Sequence, residues 1–101
     1  MALQMKPECE KCHQSLPANG MALMCSYECT FCEKCAAEMK NVCPNCGGGF
    51  TERPIRPRQA WRDGTGLAND PPDTNRRSLR YSMEQVEELV VRLRDVPPPE
   101  R

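Results

Sequence analysis

Eight cysteines in four close pairs constrain this chain more than anything else in it. They stand at positions 9, 12, 25, 29, 32, 35, 43 and 46, spaced C-x2-C-x12-C-x3-C-x2-C-x2-C-x7-C-x2-C, with none after Cys46. The segment that holds them has few bulky apolar side chains: Leu3, Leu16, Leu23, Tyr27, Phe31, Val42, Phe50 and some methionines. Aromatic residues are 5% of the chain and proline is 10 of 101 residues. A core this thin does not order a domain of about 40 residues, and domains of that size lean on disulfides or metal. The cysteines must supply what the core lacks.

Compartment separates those two options. The opening residues, 1–8, have no apolar signal-peptide core and lead straight to Cys9. No run of about 18 apolar residues could span a membrane. The expectation is a cytoplasmic protein with reduced thiols, where paired cysteines mean metal more often than disulfides. A disulfide framework is the alternative. An iron–sulfur cluster is another, but it uses four thiolates and leaves four cysteines without a role.

A C-x-x-C turn brings two thiolates to one tetrahedral ion at about 2.3 Å, and two turns complete a site. Four pairs therefore make two four-cysteine sites, for two Zn2+. The favoured pairing is interleaved: Cys9, Cys12, Cys32 and Cys35 in one site, Cys25, Cys29, Cys43 and Cys46 in the other. Sequential pairing stays open, although it leaves two residues between the sites. Nested pairing wraps residues 25–35 around one ion. Four thiolates leave no open coordination position, so the zinc reads as structural rather than catalytic. His13 follows a ligand directly but has no empty place to fill, so it is expected exposed or beside the site. With one histidine and no nucleophile–base pairing in view, no enzyme is expected.

Residues 7–50 thus read as the two-zinc domain. Cys43-Pro44-Asn45-Cys46-Gly47-Gly48-Gly49 offers proline to set a turn and glycine where φ turns positive. A short helix is expected over 36–40, ended by Asn41. Residues 1–6 are expected to fray. Residues 51–81 read as a flexible linker rich in proline and arginine. Residues 82–95 read as a short amphipathic helix: Ser82 and Gln85 form a capping box, Val86, Leu89, Val90 and Leu93 recur at helical spacing, and Met83 could join that face. Pro97-Pro98-Pro99 ends it, and 96–101 reads as a disordered tail.

Charge divides the chain. Residues 1–50 hold four lysines, five glutamates and no arginine; residues 51–101 hold ten arginines and nine acids. Arg53, Arg56, Arg58 and Arg62 with Trp61 form a basic segment carrying an aromatic for base stacking, a candidate nucleic-acid contact. A second cluster, Arg76, Arg77 and Arg80, lies near Tyr81.

The cysteine order resembles a RING-type cross-brace with cysteine at all eight ligand positions, and Cys43-Pro44-Asn45-Cys46 resembles its closing C-P-x-C. That resemblance implies recruitment of a ubiquitin-conjugating enzyme. The chain departs from it by having Glu10-Lys11 inside the first C-x-x-C and Gly47 after the last ligand, which argues against ligase activity. Residues 5–57 more closely resemble a small bacterial family, domain of unknown function 1272. The residues that carry the likeness are Lys6-Pro7 with Cys9 and Cys12, Leu16-Pro17, Cys25-Ser26-Tyr27-Glu28-Cys29-Thr30-Phe31-Cys32 and Cys35. They continue with Cys43-Pro44-Asn45-Cys46-Gly47-Gly48 and Arg53-Pro54-Ile55-Arg56-Pro57. That likeness implies a bacterial cytoplasmic protein.

The fold expected is a small metal-stabilised domain, a RING-like or treble-clef-like double zinc knuckle with little regular secondary structure, plus a disordered linker and one short C-terminal α-helix. The function expected is a non-enzymatic structural-zinc module that binds another protein, displaying Leu16, Leu23, Phe31 or Phe50. The alternatives are nucleic-acid binding, a RING-like ligase, or a redox-sensitive zinc switch. No membrane and no small-molecule substrate is expected.

Overall fold

Cysteine pairs and strands alternate along the head, so each strand is only as long as the space between knuckles. In the computed structural model, which describes residues 2–101, β1 (Leu23–Met24) leads into the Cys25–Cys29 turn and returns as β2 (Thr30–Phe31). Leu23 faces Phe31 and Met24 faces Thr30 in this antiparallel pair. β3 (Thr51–Glu52) pairs antiparallel with the other edge of β1, giving the order β2-β1-β3. A bridge between Glu8 and Ser15 closes the first knuckle. Strands of two residues make too few ladder bonds to hold a sheet unaided. Cys25, Cys29 and Cys32, each next to a strand end in sequence, tie these strands to the sulfur clusters.

α1 (Glu33–Glu38) starts earlier than the sequence suggested. Cys32 is its N-cap, and the Cys32 Sγ accepts the Cys35 N–H at 3.4 Å. The sulfur satisfies one of the donors that every helix start leaves unpaired, so the third knuckle and the helix start coincide. The helix stops at Glu38, and Lys40 and Asn41 then take left-handed φ values of 52° and 62°.

The core lies under these elements. Phe31 and Val42 are fully buried, with Leu16, Ala22 and Met39 around them. The Phe31 and Phe50 rings sit 5.4 Å apart at 59°, a tilted pairing that adds to burial. Leu16 and Phe31, expected on display for a partner, are therefore inside. They close the small core, at about 1.5–3 kcal/mol for each fully buried side chain.

The second half of the chain completes this core. α2 (Met83–Leu93) begins with the full capping box, Ser82 Oγ accepting the Gln85 N–H and Gln85 Oε1 accepting the Ser82 N–H. Val86 and Val90 are buried in the same cluster as the cysteines, and Leu79, Leu89 and Leu93 pack against it. Met83, at the first turn of α2, is exposed. The segment 96–101 is not a loose tail. Pro98–Glu100 forms a 3-10 turn, and the Arg101 guanidinium donates to the carbonyls of Val96, Asn41 and Gly47.

Residues 53–81 carry no helix or strand, but the head holds the segment at several points. Arg56 donates to the Leu3 and Asp70 carbonyls, and the Asp73 N–H donates to the Met5 carbonyl. The expected fraying before residue 7 is also overturned. Met5 and Lys6 are buried, and the Gln4 N–H donates to Glu28 Oε1; Met1 lies outside the described residues.

Candidate metal centres

The first and last knuckles are one backbone motif used twice. Cys9 accepts from the His13 N–H at 2.9 Å and donates to the Gln14 carbonyl at 2.9 Å. Cys43 accepts from the Gly47 N–H at 2.8 Å and donates to the Gly48 carbonyl at 2.8 Å. The residue after each pair, His13 at φ 65° and Gly47 at φ 78°, turns left-handed. Such a turn points backbone N–H groups at sulfur: Lys11 N–H at Cys9 Sγ and Gly48 N–H at Cys46 Sγ, each at 3.4 Å. The Tyr27 N–H does the same for Cys25 at 3.4 Å. Donors aimed at sulfur stabilise the thiolate, the form that binds metal.

No disulfide joins any of the eight cysteines. The Sγ atoms of Cys9, Cys12, Cys32 and Cys35 lie within 4.8 Å of one another, and so do those of Cys25, Cys43 and Cys46. Cys12 and Cys32 Sγ are 3.7 Å apart. A disulfide needs about 2.05 Å, whereas an edge of a tetrahedron with metal–sulfur bonds of about 2.3 Å is about 3.8 Å. Cys29 falls outside the three-sulfur group yet stays next to it, its Sγ accepting the Asn45 Nδ2 at 3.4 Å. Both groups could hold a metal ion, and they draw on interleaved pairs of the sequence.

As bare thiols the sulfurs do not ionise together. The Cys43 thiol, donating to Cys29, holds Cys29 down to about 5 against its burial. Cys43 is pushed up, chiefly because Cys29 holds its proton, and burial pushes Cys25 up to about 11. In the first group the Gln14 N–H lowers Cys12, while burial raises Cys32 and Cys35. Packed thiolates repel and resist desolvation, so a cluster without a cation sheds few protons. A divalent cation reverses that balance by binding only the deprotonated form.

A buried polar network that cysteine spacing does not announce links the first knuckle to the residues flanking Cys29. Glu10 Oε2 accepts the Thr30 N–H at 2.7 Å and lies 3.5 Å from Lys6 Nζ, which also donates to the Glu28 carbonyl. Lys6 and Glu10 are both 2% exposed. Arg53, also 2% exposed, donates to the carbonyls of Lys6, Leu16 and Pro17. It thereby straps β3 to both sides of the first knuckle. Burial without a carboxylate partner lowers the Arg53 pKa. Arg53 is thus removed from the expected nucleic-acid segment, and Arg56 is largely spent on Leu3 and Asp70. Arg58, Trp61 and Arg62 remain exposed, Trp61 at 76%. His13 is exposed, with Nδ1 3.1 Å from Glu8 Oε1 and no place in either sulfur group. No helix among the described residues is long and apolar enough to cross a membrane.

The family model described as "Protein of unknown function (DUF1272)" matches residues 2–56. The matched stretch holds all eight cysteines together with Lys6, Glu10 and Arg53, and it stops short of α2. A protein of Rhizobium meliloti strain 1021, described as uncharacterized, is 47% identical over 57 residues, covering 54% of this chain and 68% of the relative. No solved structure matches. A family model that spans more than half of the chain, and takes in both sulfur groups with the network that braces them, places this protein in the DUF1272 family.

Proposed function

We propose that the chain is a non-enzymatic module in which two structural Zn2+ ions hold a RING-like, interleaved head that binds another protein in a reducing cytoplasm. The observation that carries this is the sulfur grouping, Cys9 and Cys12 with Cys32 and Cys35, and Cys25 with Cys43 and Cys46. Cys29, one hydrogen bond from Asn45, is the fourth donor of the second centre. An all-sulfur donor set suits zinc and closes both sites against substrate.

The likeness to RING domains does not extend to the surface that a conjugating enzyme would use. Glu10 is buried on Thr30 and Lys11 pairs with Glu38 at 3.4 Å, so the first knuckle presents no apolar contact. A protein partner is favoured by exposed apolar side chains spread over the surface, among them Tyr27, Ile55, Met83 and Val91. The basic segment supports nucleic-acid binding less well, because the head spends two of its four arginines on carbonyls.

Native mass spectrometry with elemental analysis tests the reading. The expected result is two zincs per chain, with loss of dispersed amide resonances on chelation. One metal, iron, or a fold that survives chelation sinks it.

A further inference from the structure

The second sulfur centre borders a cavity, and the residues of that cavity differ in kind from those near the first. It has a volume of about 510 Å³, and its walls include Cys29, Cys46, Asn45, Glu10, Arg77 and Arg80, the Glu10 carboxylate being already paired with Lys6 and the Thr30 N–H. Two of the four candidate donors therefore face one opening. One of these, Cys29, is the sulfur that stands outside the tight group. It sits on the longer C-x3-C turn, preceded by Glu28 at a left-handed φ of 64°. Asn45 spends its amide nitrogen on Cys29, and its Oδ1 is buried with no hydrogen-bond partner. Arg77 and Arg80 have no carboxylate partner among the described residues. The first centre has a different setting. The cavity beside it holds one of its sulfurs, Cys32, with Glu33 and Lys34 as its charged residues, which offset each other.

We propose that the Cys25/Cys29/Cys43/Cys46 centre is an exchange site, at which an anionic low-molecular-weight thiol enters the cavity and displaces Cys29 from the metal. This rests on the two-zinc reading. The guanidiniums of Arg77 and Arg80 hold the carboxylates of the incoming molecule beside Asn45, whose amide nitrogen donates to Cys29. In the step itself, the incoming thiolate sulfur forms a bond to zinc as the Cys29–zinc bond breaks. Cys29 leaves as thiolate, or takes the proton of the incoming thiol. Zinc keeps four sulfur donors, and no electron moves. The first centre, with its four sulfurs mutually close and no pair of unpartnered guanidiniums lining its cavity, stays loaded.

The test uses the full, zinc-loaded chain, shown first by elemental analysis to carry two zincs. It is mixed with dimercaptosuccinate, a dithiol bearing two carboxylates, or with dithiothreitol, a neutral dithiol. Zinc content is followed by native mass spectrometry, and newly free cysteines are trapped by alkylation and mapped. With dimercaptosuccinate, one zinc leaves faster than the other by on the order of tenfold, and alkylation falls on Cys25, Cys29, Cys43 and Cys46. Replacing both exposed arginines, Arg77→Gln with Arg80→Gln, slows this release by on the order of tenfold and leaves the dithiothreitol rate unchanged. Equal release of both zincs, first alkylation at Cys9, Cys12, Cys32 or Cys35, or a double variant that changes both reagents alike overturns the exchange site. A starting count below two zincs overturns the two-zinc reading itself.

Discussion

The two sulfur centres share a knuckle and differ in what surrounds it. At the first, the neighbouring backbone is braced from within. Arg53 holds carbonyls before and after the knuckle, Glu10 holds β2, and Cys32 serves both as candidate donor and as the cap of α1. At the second, Lys6 and Glu10 hold the residues on either side of Cys29, and further bracing comes from the C-terminal segment outside the cysteine-bearing head. Asn45 holds Cys29, Arg101 holds the Gly47 carbonyl, and Leu93 of α2 lies against Gly47. The difference teaches that one motif can serve as a fixed joint or as an opening one, according to whether its supports are buried in the same small core.

The sharpest way to break this comparison is to remove one donor from each centre. Cys32→Ser takes away a metal donor and a buried core member while leaving a serine hydroxyl to cap α1. A structural zinc site contributes about 10–16 kcal/mol of apparent binding free energy, more than a domain this size has in reserve. We expect Cys32→Ser to lose amide dispersion throughout the head. Cys29→Ser should keep one zinc and the dispersed signals of α1. Equal collapse of both variants in heteronuclear spectra, with matching zinc counts, would remove the distinction between the centres.

A smaller effect separates the arginines. Arg53→Ala leaves three carbonyls without their donor inside the head and should cost about 3 kcal/mol, since hydrogen bonds to charged groups are worth about 1.5–3 kcal/mol each. Arg101→Ala, at a more exposed site, should cost about 1 kcal/mol. Thermal melts of the zinc-loaded variants check the order. A larger loss for Arg101→Ala would mean that the second knuckle is the more tightly braced.

Those arginines also mark where the sequence stops being legible. Cysteine spacing pointed to the interleaved groups, and the capping residues pointed to α2, because both are local patterns with fixed geometry. Arg53 looked like its neighbours Arg56, Arg58 and Arg62, since nothing local says which of four arginines β3 carries inward. Lys6 and Glu10, four residues apart, are a buried pair that no local pattern marks. Leu16 and Phe31, expected on display, are core members, and Val86 and Val90 enlarge that core from outside the cysteine segment. The start of α1 was missed because its cap is a sulfur rather than a hydroxyl or carboxylate.

Acid should sharpen the comparison further. In the folded arrangement of sulfurs the hydrogen bond from Cys43 holds Cys29 down to about 5, below the ordinary thiol value of 9.0. A group with a depressed folded pKa contributes stability above the unfolded value and loses it as pH falls through the folded one. Its contribution is thus full above about pH 9 and declines toward pH 5 and below. Zinc binding displaces protons, so acidification also drives zinc off. We expect retention of both zincs at pH 7 and release below about pH 5, read by native mass spectrometry across a pH series. Retention of zinc well below pH 5 would contradict thiolate ligation at these centres.

The smallest predicted effect probes the motif the centres share. Gly47 adopts φ +78°, and a Cβ there would lie 3.0 Å from Leu93 Cδ1. Gly47→Ala therefore meets both left-handed strain, at about 1–2 kcal/mol, and a crowded α2. His13 holds the equivalent place in the first knuckle at φ 65°, exposed, with Glu8 Oε1 3.1 Å from its Nδ1. His13→Gly relieves the same strain there but loses the Glu8 contact and gives the unfolded chain more freedom. These opposed terms leave a net change within about 0.5 kcal/mol, the range of surface substitutions. Chemical denaturation of the two zinc-loaded variants decides whether the knuckles are equivalent in backbone alone. If His13→Gly destabilises as much as Gly47→Ala, the first knuckle depends on its histidine, and the Glu8 contact is part of its bracing.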